Sequence, residues 1–159
     1  MDRKKQSGFS LIELLIVVAI IGIIAAIAIP NLIKSQQAAH ETAAKKECQN
    51  IRDAEVLYSV TKGRGKYTDL AGLGEQRIID SALASGNKGG YNYAAAVVQA
   101  DGMAAMFDAT SHPSSVGTFG TGNRSYYINE TMVLYETEGG TPPTATPQDR
   151  VPKDGTPIQ

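Results

Sequence analysis

A single cysteine, two histidines and a complete absence of charge between Leu14 and Ile29 set the first limits on this chain. With Cys48 alone, no disulfide can close within one chain; the thiol either pairs between chains or sits buried as a small apolar group. His40 and His112 have no serine, cysteine or carboxylate partner at suggestive spacing, so neither catalysis nor metal binding has a candidate. The glycines of GTFGTGNR, residues 117–124, do not match G-x-G-x-x-G and carry no P-loop lysine, which argues against a phosphate site. No basic patch is interleaved with aromatics, so direct nucleic-acid binding is not expected. Asp101, Asp108, Asp149 and Asp154 could offer oxygens to calcium but form no liganding loop of recognisable spacing. The expectation is a protein that is not an enzyme, with no cofactor and no metal.

What is present falls into two unlike parts. The 159 residues carry a net charge of -1 and suit one domain of modest size. Met1 to Gly8 holds Arg3, Lys4 and Lys5 against Asp2, and from Lys34 onward the chain is polar and mixed in charge. Between them lies SGFSLIELLIVVAIIGIIAAIAIP, apolar from Phe9 to Ile29 except at Glu13. About 20 apolar residues in a helix cross a bilayer core of about 30 Å, and this run just reaches that length. It is too long and too rich in isoleucine for a secretory signal. Ala25, Ala26 and Ala28 could mimic a cleavage site, yet the chain runs on through Ile29, Pro30, Leu32 and Ile33, interrupted only by uncharged Asn31. The pattern predicts a membrane helix with its basic side in the cytoplasm and the body exported.

Glu13 is the anomaly. Four residues into the run, it could snorkel to the interface. An ionisable residue in such a segment nevertheless suggests a partner. If the chain were cut after Gly8, the new amino group would lie on Phe9, one helical turn from Glu13. The same group on a neighbouring copy would serve equally well.

These residues resemble the class III signal of type IV pilins and their pseudopilin relatives. The likeness rests on a short basic leader ending in Gly8, then Phe9, Glu13 at the fifth place after the junction, an apolar helix, Gly22 within it and Pro30 ending its first half. The motif covers about one sixth of the chain; beyond Pro30 only the general layout matches. The resemblance implies cleavage between Gly8 and Phe9 by a membrane peptidase that also N-methylates Phe9. It implies pairing of Glu13 with the Phe9 amine of an adjacent subunit during assembly, and loosening of the helix between Gly22 and Pro30. The implied partners are further copies in a helical filament, the prepilin peptidase and methyltransferase, membrane lipid before assembly, and an inner-membrane platform with a separate ATPase. The cysteine-closed loop found near the C-terminus of many pilins is missing here.

After Pro30, Leu32, Ile33, Ala39, Ala43, Ala44, Ile51, Ala54 and Leu57 recur at helical spacing among charged residues, extending the helix to about Val60, where Gly63 and Gly65 stop it. A helix of about 50 residues is about 75 Å long. A short helix is expected over Glu75–Ala84 and a turn cluster over Ser85–Gly90. Tyr91–Ala100 and Met103–Asp108 read as strands joined at Asp101-Gly102, followed by a loop over Ala109–Asn123. A second hairpin pairs Ser125–Ile128 with Met132–Tyr135. The tail from Glu138 holds five of the seven prolines and reads as extended and surface-lying. Asn123 and Asn129 each begin an N-glycosylation triplet. The ten aromatics are assigned to packing in the head.

The expected fold class is therefore α+β: a long N-terminal helix, membrane-spanning in its first half, packed against a small antiparallel sheet. The expected division is a leader over 1–8, an assembly helix over 9–33, its amphipathic continuation over 34–62, a head over 63–137 and a tail over 138–159. The function this implies is that of a pilus subunit serving attachment, motility or DNA uptake. Alternatives are a pseudopilin of a type II secretion system or, in other classes, a membrane-anchored periplasmic binding domain or an anchored hydrolase.

Overall fold

A computed structural model of the chain describes residues 9–158; the leader, including Gly8, lies outside the described residues. The chain divides into two compact units, one ending at Ser35 and one beginning at Gln36. Helix α1 spans Leu11–Thr61, followed by α2 (Leu70–Glu75) and α3 (Ser81–Ala84). The strands are β1 (Asn87–Lys88), β2 (Tyr91–Val98), β3 (Met106–Pro113), β4 (Arg124–Asn129), β5 (Leu134–Glu138) and β6 (Thr156–Ile158). They form one antiparallel sheet in sequence order. The fold class is α+β, as the sequence pattern predicts.

The second unit owes its core to a narrow stripe on α1. Ala44, Cys48, Ile51 and Ala54 recur every three or four residues, which puts them on one helical face, and all four are buried. Against them pack Tyr91 and Tyr93 of β2, Phe107 and Ala109 of β3, Tyr126 and Ile128 of β4, and Leu134 of β5. Leu70, Leu73 and Leu83 close the core from α2 and α3. The tyrosines and Phe107 do serve packing; Phe119 and Phe9 do not. The helix stops where the glycines predict. The Gly63 amide donates to the Tyr58 carbonyl at 2.7 Å, and a Cβ on Gly63 would press into the Lys66 carbonyl and the Tyr58 ring.

Four expectations change. In place of the one helix expected over Glu75–Ala84 there are two, Leu70–Glu75 ahead of it and Ser81–Ala84 at its end, because Asp69 and Asp80 each cap a separate start: Asp69 accepts from the Gly72 amide, Asp80 from the Ala82 and Leu83 amides. Arg77 between them adopts φ 56°, which no helix continues through. The first hairpin is wider than a two-residue turn: Val98 pairs with Met106, and Asp101-Gly102 turns inside a connection over 99–105. Buried Met106 and Phe107 set that register, whereas Ala104 and Ala105 offer a strand little to pack. The strand then continues to Pro113, shortening the polar loop to 114–123. In the second hairpin β4 and β5 are joined through 130–133, with Met132 at φ 67°.

The tail also departs from the extended reading. Thr156–Ile158 adds an edge strand to β5, and Pro143 and Pro152 are buried. Proline at 157 is compatible with an edge strand because no ladder amide is needed on the outer side. Arg150 pins the tail. Its Nε and Nη2 donate to Glu130 at 2.6 and 2.9 Å, and Nη2 also donates to Asp108 at 2.6 Å and to the Phe107 carbonyl at 2.9 Å. Tyr127 donates to the same Asp108 oxygen at 2.6 Å, and Asn129 donates to the Arg150 carbonyl at 2.9 Å. Burial opposes the Glu130 charge, but Arg150 and the Phe107 amide more than offset it and hold its carboxyl below the usual range. Removing one member of so buried a set would strand its opposite charges.

Glu55, wholly buried on α1, has no such cation among the described residues. Its Oε2 accepts from the Thr68 amide at 3.0 Å, while Oε1 has no hydrogen-bond partner. Burial pushes its carboxyl up to about 7, opposed by the Thr68 bond and reinforced by Asp69. The folded state thus holds this proton more tightly than the unfolded chain. Its stabilising contribution is complete below the ordinary value of 4.5 and is lost as pH rises toward about 7. Glu55→Gln, which mimics the protonated acid, is expected to raise stability at pH 8 by about 2 kcal/mol and to flatten the profile between these limits. Urea unfolding of the full chain in detergent at pH 4.5 and pH 8 measures this; an unchanged pH dependence in the variant would remove Glu55 as its source.

Candidate functional site

The first unit is a helix with no dry face. From Phe9, 87% exposed, through Leu11, Ile16, Val17, Ile20, Ile23 and Ile27 to Leu32, its large apolar side chains are all exposed in the single chain. An all-round apolar helix is stable only when lipid or other protein covers it. By length and composition α1 can cross a membrane.

Its N-terminus is set by a local device. Ser10-Leu11-Ile12-Glu13 has the S-x-x-E form of a capping box, in which an acid in the first turn reaches back to an unpaired amide. Glu13 Oε2 accepts from the Ser10 amide at 2.9 Å, and the Leu14 amide donates to the Ser10 carbonyl at 3.2 Å. A carboxylate here also opposes the positive end of the helix dipole. In the lone chain, then, Glu13 is satisfied by its own backbone. Ser10 escaped the sequence reading, although the S-x-x-E spacing ahead of an apolar run signals it. Phe9 precedes the helix by two residues and is exposed, four positions before Glu13. Gly22 and Pro30 lie within α1, which runs unbroken through both; a Cβ at Gly22 would meet nothing within 4 Å.

The other candidate groups are accounted for individually. His40 Nδ1 bonds the Gly89 carbonyl, and His112 Nε2 lies 3.4 Å from the Asn92 amide. Among the described residues no three His, Cys, Asp or Glu converge to hold a metal. Asp108 is held by Arg150, and Asp154 accepts from the Thr144 amide at 3.3 Å. Asn129 is fully buried and its amide is engaged, so this triplet is closed to modification in the folded head, whereas Asn123 is exposed.

A third feature, invisible in the sequence, is a clamp on the loop over 114–123. Buried Gln37 of α1 donates from Nε2 to the carbonyls of Gly117 at 2.8 Å, Gly120 at 3.0 Å and Thr118 at 3.4 Å. Glu41 accepts from the Asn123 amide at 2.8 Å, and the Thr121 amide closes the loop onto the Ser115 carbonyl at 2.8 Å. A Cβ on Gly120 would strike Ser115 and Val116 backbone. The loop leaves Val116 and Phe119 outside, Phe119 at 83% exposure.

An exposed apolar helix that opens on Phe9 and Glu13 and continues beneath an antiparallel sheet defines a class: proteins that carry an N-terminal assembly or membrane helix on an α+β head. Residues 3–29 match the family model described as the prokaryotic N-terminal methylation motif. The chain is 44% identical over 92 residues to the type IV major pilin protein PilA of Myxococcus xanthus, covering 58% of this chain and 39% of that protein. It is 40% identical over 60 residues to the type II secretion system core protein G of Pseudomonas aeruginosa, 38% of this chain and 42% of the relative. It is 54% identical over 39 residues to the type IV wide pilus major component PilA4 of Thermus thermophilus, 24% of this chain and 30% of the relative. The chain thus spans less than half the length of each of these three relatives. No solved structure matches it significantly. The chain carries the methylation motif and is similar to type IV pilins and type II secretion core proteins.

Cys48 is completely buried, with its Sγ 3.9 Å from the Ala109 carbonyl, and burial pushes its thiol up to about 12. That resolves its two sequence readings for the folded chain in favour of burial. The folded protein is expected to show no reaction with a thiol-specific chromogenic reagent at pH 8, and one equivalent per chain after denaturation. Rapid labelling of the native chain would contradict this packing.

Proposed function

We propose that this chain is the precursor of a type IV pilus subunit, polymerised through its N-terminal helix. The observation that carries the reading is the wholly exposed apolar first half of α1, preceded by exposed Phe9 and with Glu13 in its first turn. Similarity to type IV pilins and the methylation motif over residues 3–29 support it. In this reading residues 1–8 are a leader and 9–33 the assembly helix. Residues 34–62 continue that helix under the head, 63–137 form the head and 138–159 the tail that braces it.

A peptidase and methyltransferase cuts between Gly8 and Phe9 and methylates the new amine. The precursor crosses the inner membrane once, with Arg3, Lys4 and Lys5 in the cytoplasm. Losing the leader removes a net charge of +2 and with it the basic anchor. Glu13 then exchanges its bond to the Ser10 amide for the Phe9 amine of the adjacent subunit. Away from water that ion pair is weakly screened, and a misplaced subunit buries an unpaired carboxylate, which sets register. Gly22, without a side chain, and Pro30, without an amide, weaken the helix between them and let the rod extend. The work of extraction falls to a separate ATPase on an inner-membrane platform, and the finished filament serves attachment, motility or DNA uptake.

A second reading, a pseudopilin of a type II secretion system, is favoured by the similarity to core protein G of several species. It shares the processing and the Glu13 pairing and differs in where the filament ends.

Mass spectrometry of the N-terminal peptide from protein sheared off the cell surface tests the proposal. A peptide beginning at methylated Phe9 is expected; intact chain confined to the membrane would overturn it. Glu13→Ala is expected to leave cleavage intact while cutting surface filament to about a tenth of wild type or less, since stranding one partner of a buried pair costs roughly 3–5 kcal/mol. Normal filament yield from that variant would remove the pairing.

A further inference from the structure

The clamped loop over 114–123 is constructed around a polar interior and an apolar exterior. Gln37 takes up three of its carbonyls, and Asn123 Oδ1 accepts from the Gly117 amide at 3.1 Å. What remains outside is Val116, 54% exposed, and Phe119, 83% exposed. No Asp, Glu, Lys or Arg occurs from Ala109 to Asn123. Most other exposed apolar groups of the head have a charge close by in the chain: Met103 follows Asp101, Met132 and Val133 follow Glu130, and Val151 stands between Arg150 and Lys153; Val97, 39% exposed, lies within strand β2. Of the three phenylalanines, Phe107 is fully buried, while Phe9 and Phe119 are the most exposed.

The position of the clamp in the chain gives the loop a specific neighbour. Gln37 follows Ile33, the last apolar residue of the run, by four positions. Four residues span at most about 14 Å in any conformation. The polar margin of a bilayer is itself about 5–8 Å thick on each side, with a hydrocarbon core of about 30 Å between. If the apolar run lies in the membrane, Gln37 cannot leave the neighbourhood of the outer headgroups, and the loop bonded to it stays there too. Exposed aromatic and aliphatic side chains on an uncharged segment at that level bury favourably among headgroups and the first acyl carbons.

We infer that the loop over 114–123 is a second membrane contact of the unassembled subunit, inserting Phe119 and Val116 into the lipid surface beside the helix. This rests on the membrane reading of the apolar run. The occupant is a lipid bilayer rather than a second copy, because chain reach keeps the loop near lipid in every unassembled molecule. The contact would orient the head on the membrane before assembly and would have to be released when the subunit leaves.

The chain has no tryptophan, so single substitutions give clean reporters. Phe119→Trp, Ile20→Trp and Val60→Trp are prepared in the full-length chain and reconstituted into vesicles of phosphatidylcholine and phosphatidylglycerol, with and without lipid brominated near the top of the acyl chain. Val60 is 75% exposed and lies near the opposite end of the same head helix. Expected is a blue-shifted Phe119→Trp emission that loses roughly half its intensity to brominated lipid, with Val60→Trp unaffected. A Phe119→Trp spectrum matching that of Val60→Trp, while Ile20→Trp is quenched, would overturn the loop contact and leave the membrane helix standing. Loss of quenching at Ile20 as well would overturn the membrane reading and the loop contact together. Shielding of Phe119→Trp from acrylamide only in assembled filaments would replace lipid by a neighbouring copy.

Discussion

The structure depends on one helix meeting two different demands. Over residues 11–33 α1 is apolar on every side and has nothing of its own to pack against; over 44–54 the same helix contributes one buried stripe to a core of strands. A chain with such a first half cannot bury its apolar surface alone. Its lowest free energy requires lipid or other copies, and the head has to fold without using that surface. The compact core around Ala44, Cys48, Ile51 and Ala54 meets this requirement, since none of its members comes from the first unit.

Glu13 joins this constraint to the assembly proposed above. A bare carboxylate in an apolar run would be costly, yet in the lone chain it is neither bare nor free: it takes up the Ser10 amide, one of the unpaired donors at the helix start. That bond keeps the acid satisfied in the single chain. It is also a weak competitor. A neutral amide at the rim of a helix gives up far less than a full positive charge offers where water is absent. In the proposed filament the same acid, which caps its own helix in the single chain, would pair with a neighbouring amine, and the difference between the two bonds would favour assembly.

The sequence made some of this legible and hid the rest for physical reasons. The helix to Thr61, its stop at Gly63, and the two hairpins follow from periodicity and turn chemistry, which are local. The register of β2 on β3 does not, because Phe107 chooses it by packing with α1 residues some 50 positions earlier. The double helix start at Asp69 and Asp80 was readable as capping and was missed by following apolar spacing alone. β6 and the Arg150 cluster lay beyond reach: proline content argued for an extended tail, while the ion pairs that fold it back join Arg150 to Asp108 and Glu130 across 42 and 20 residues. At the candidate site the motif points to Phe9 and Glu13, whereas nothing local in the sequence singles out Gln37, whose acceptors lie some 80 residues away.

Gln37 shows why a polar residue can be the more informative one. A buried glutamine amide needs acceptors, and here it finds them in three carbonyls of a loop some 80 residues away. Turning those carbonyls inward consumes the polar capacity of the loop. A segment made of serine, threonine and glycine would otherwise have been well solvated; with its backbone engaged by Gln37 and Thr121, the groups left to face outward are Val116 and Phe119. Had solubility been the only demand on this surface, a polar tip would have cost nothing. The loop instead combines a satisfied interior with an apolar exterior, the same division that the helix shows along its length. The loop carries no Asp, Glu, Lys or Arg, the helix carries one acid at Glu13, and Gln37 ties the loop to a point four residues past Ile33, where the apolar run ends.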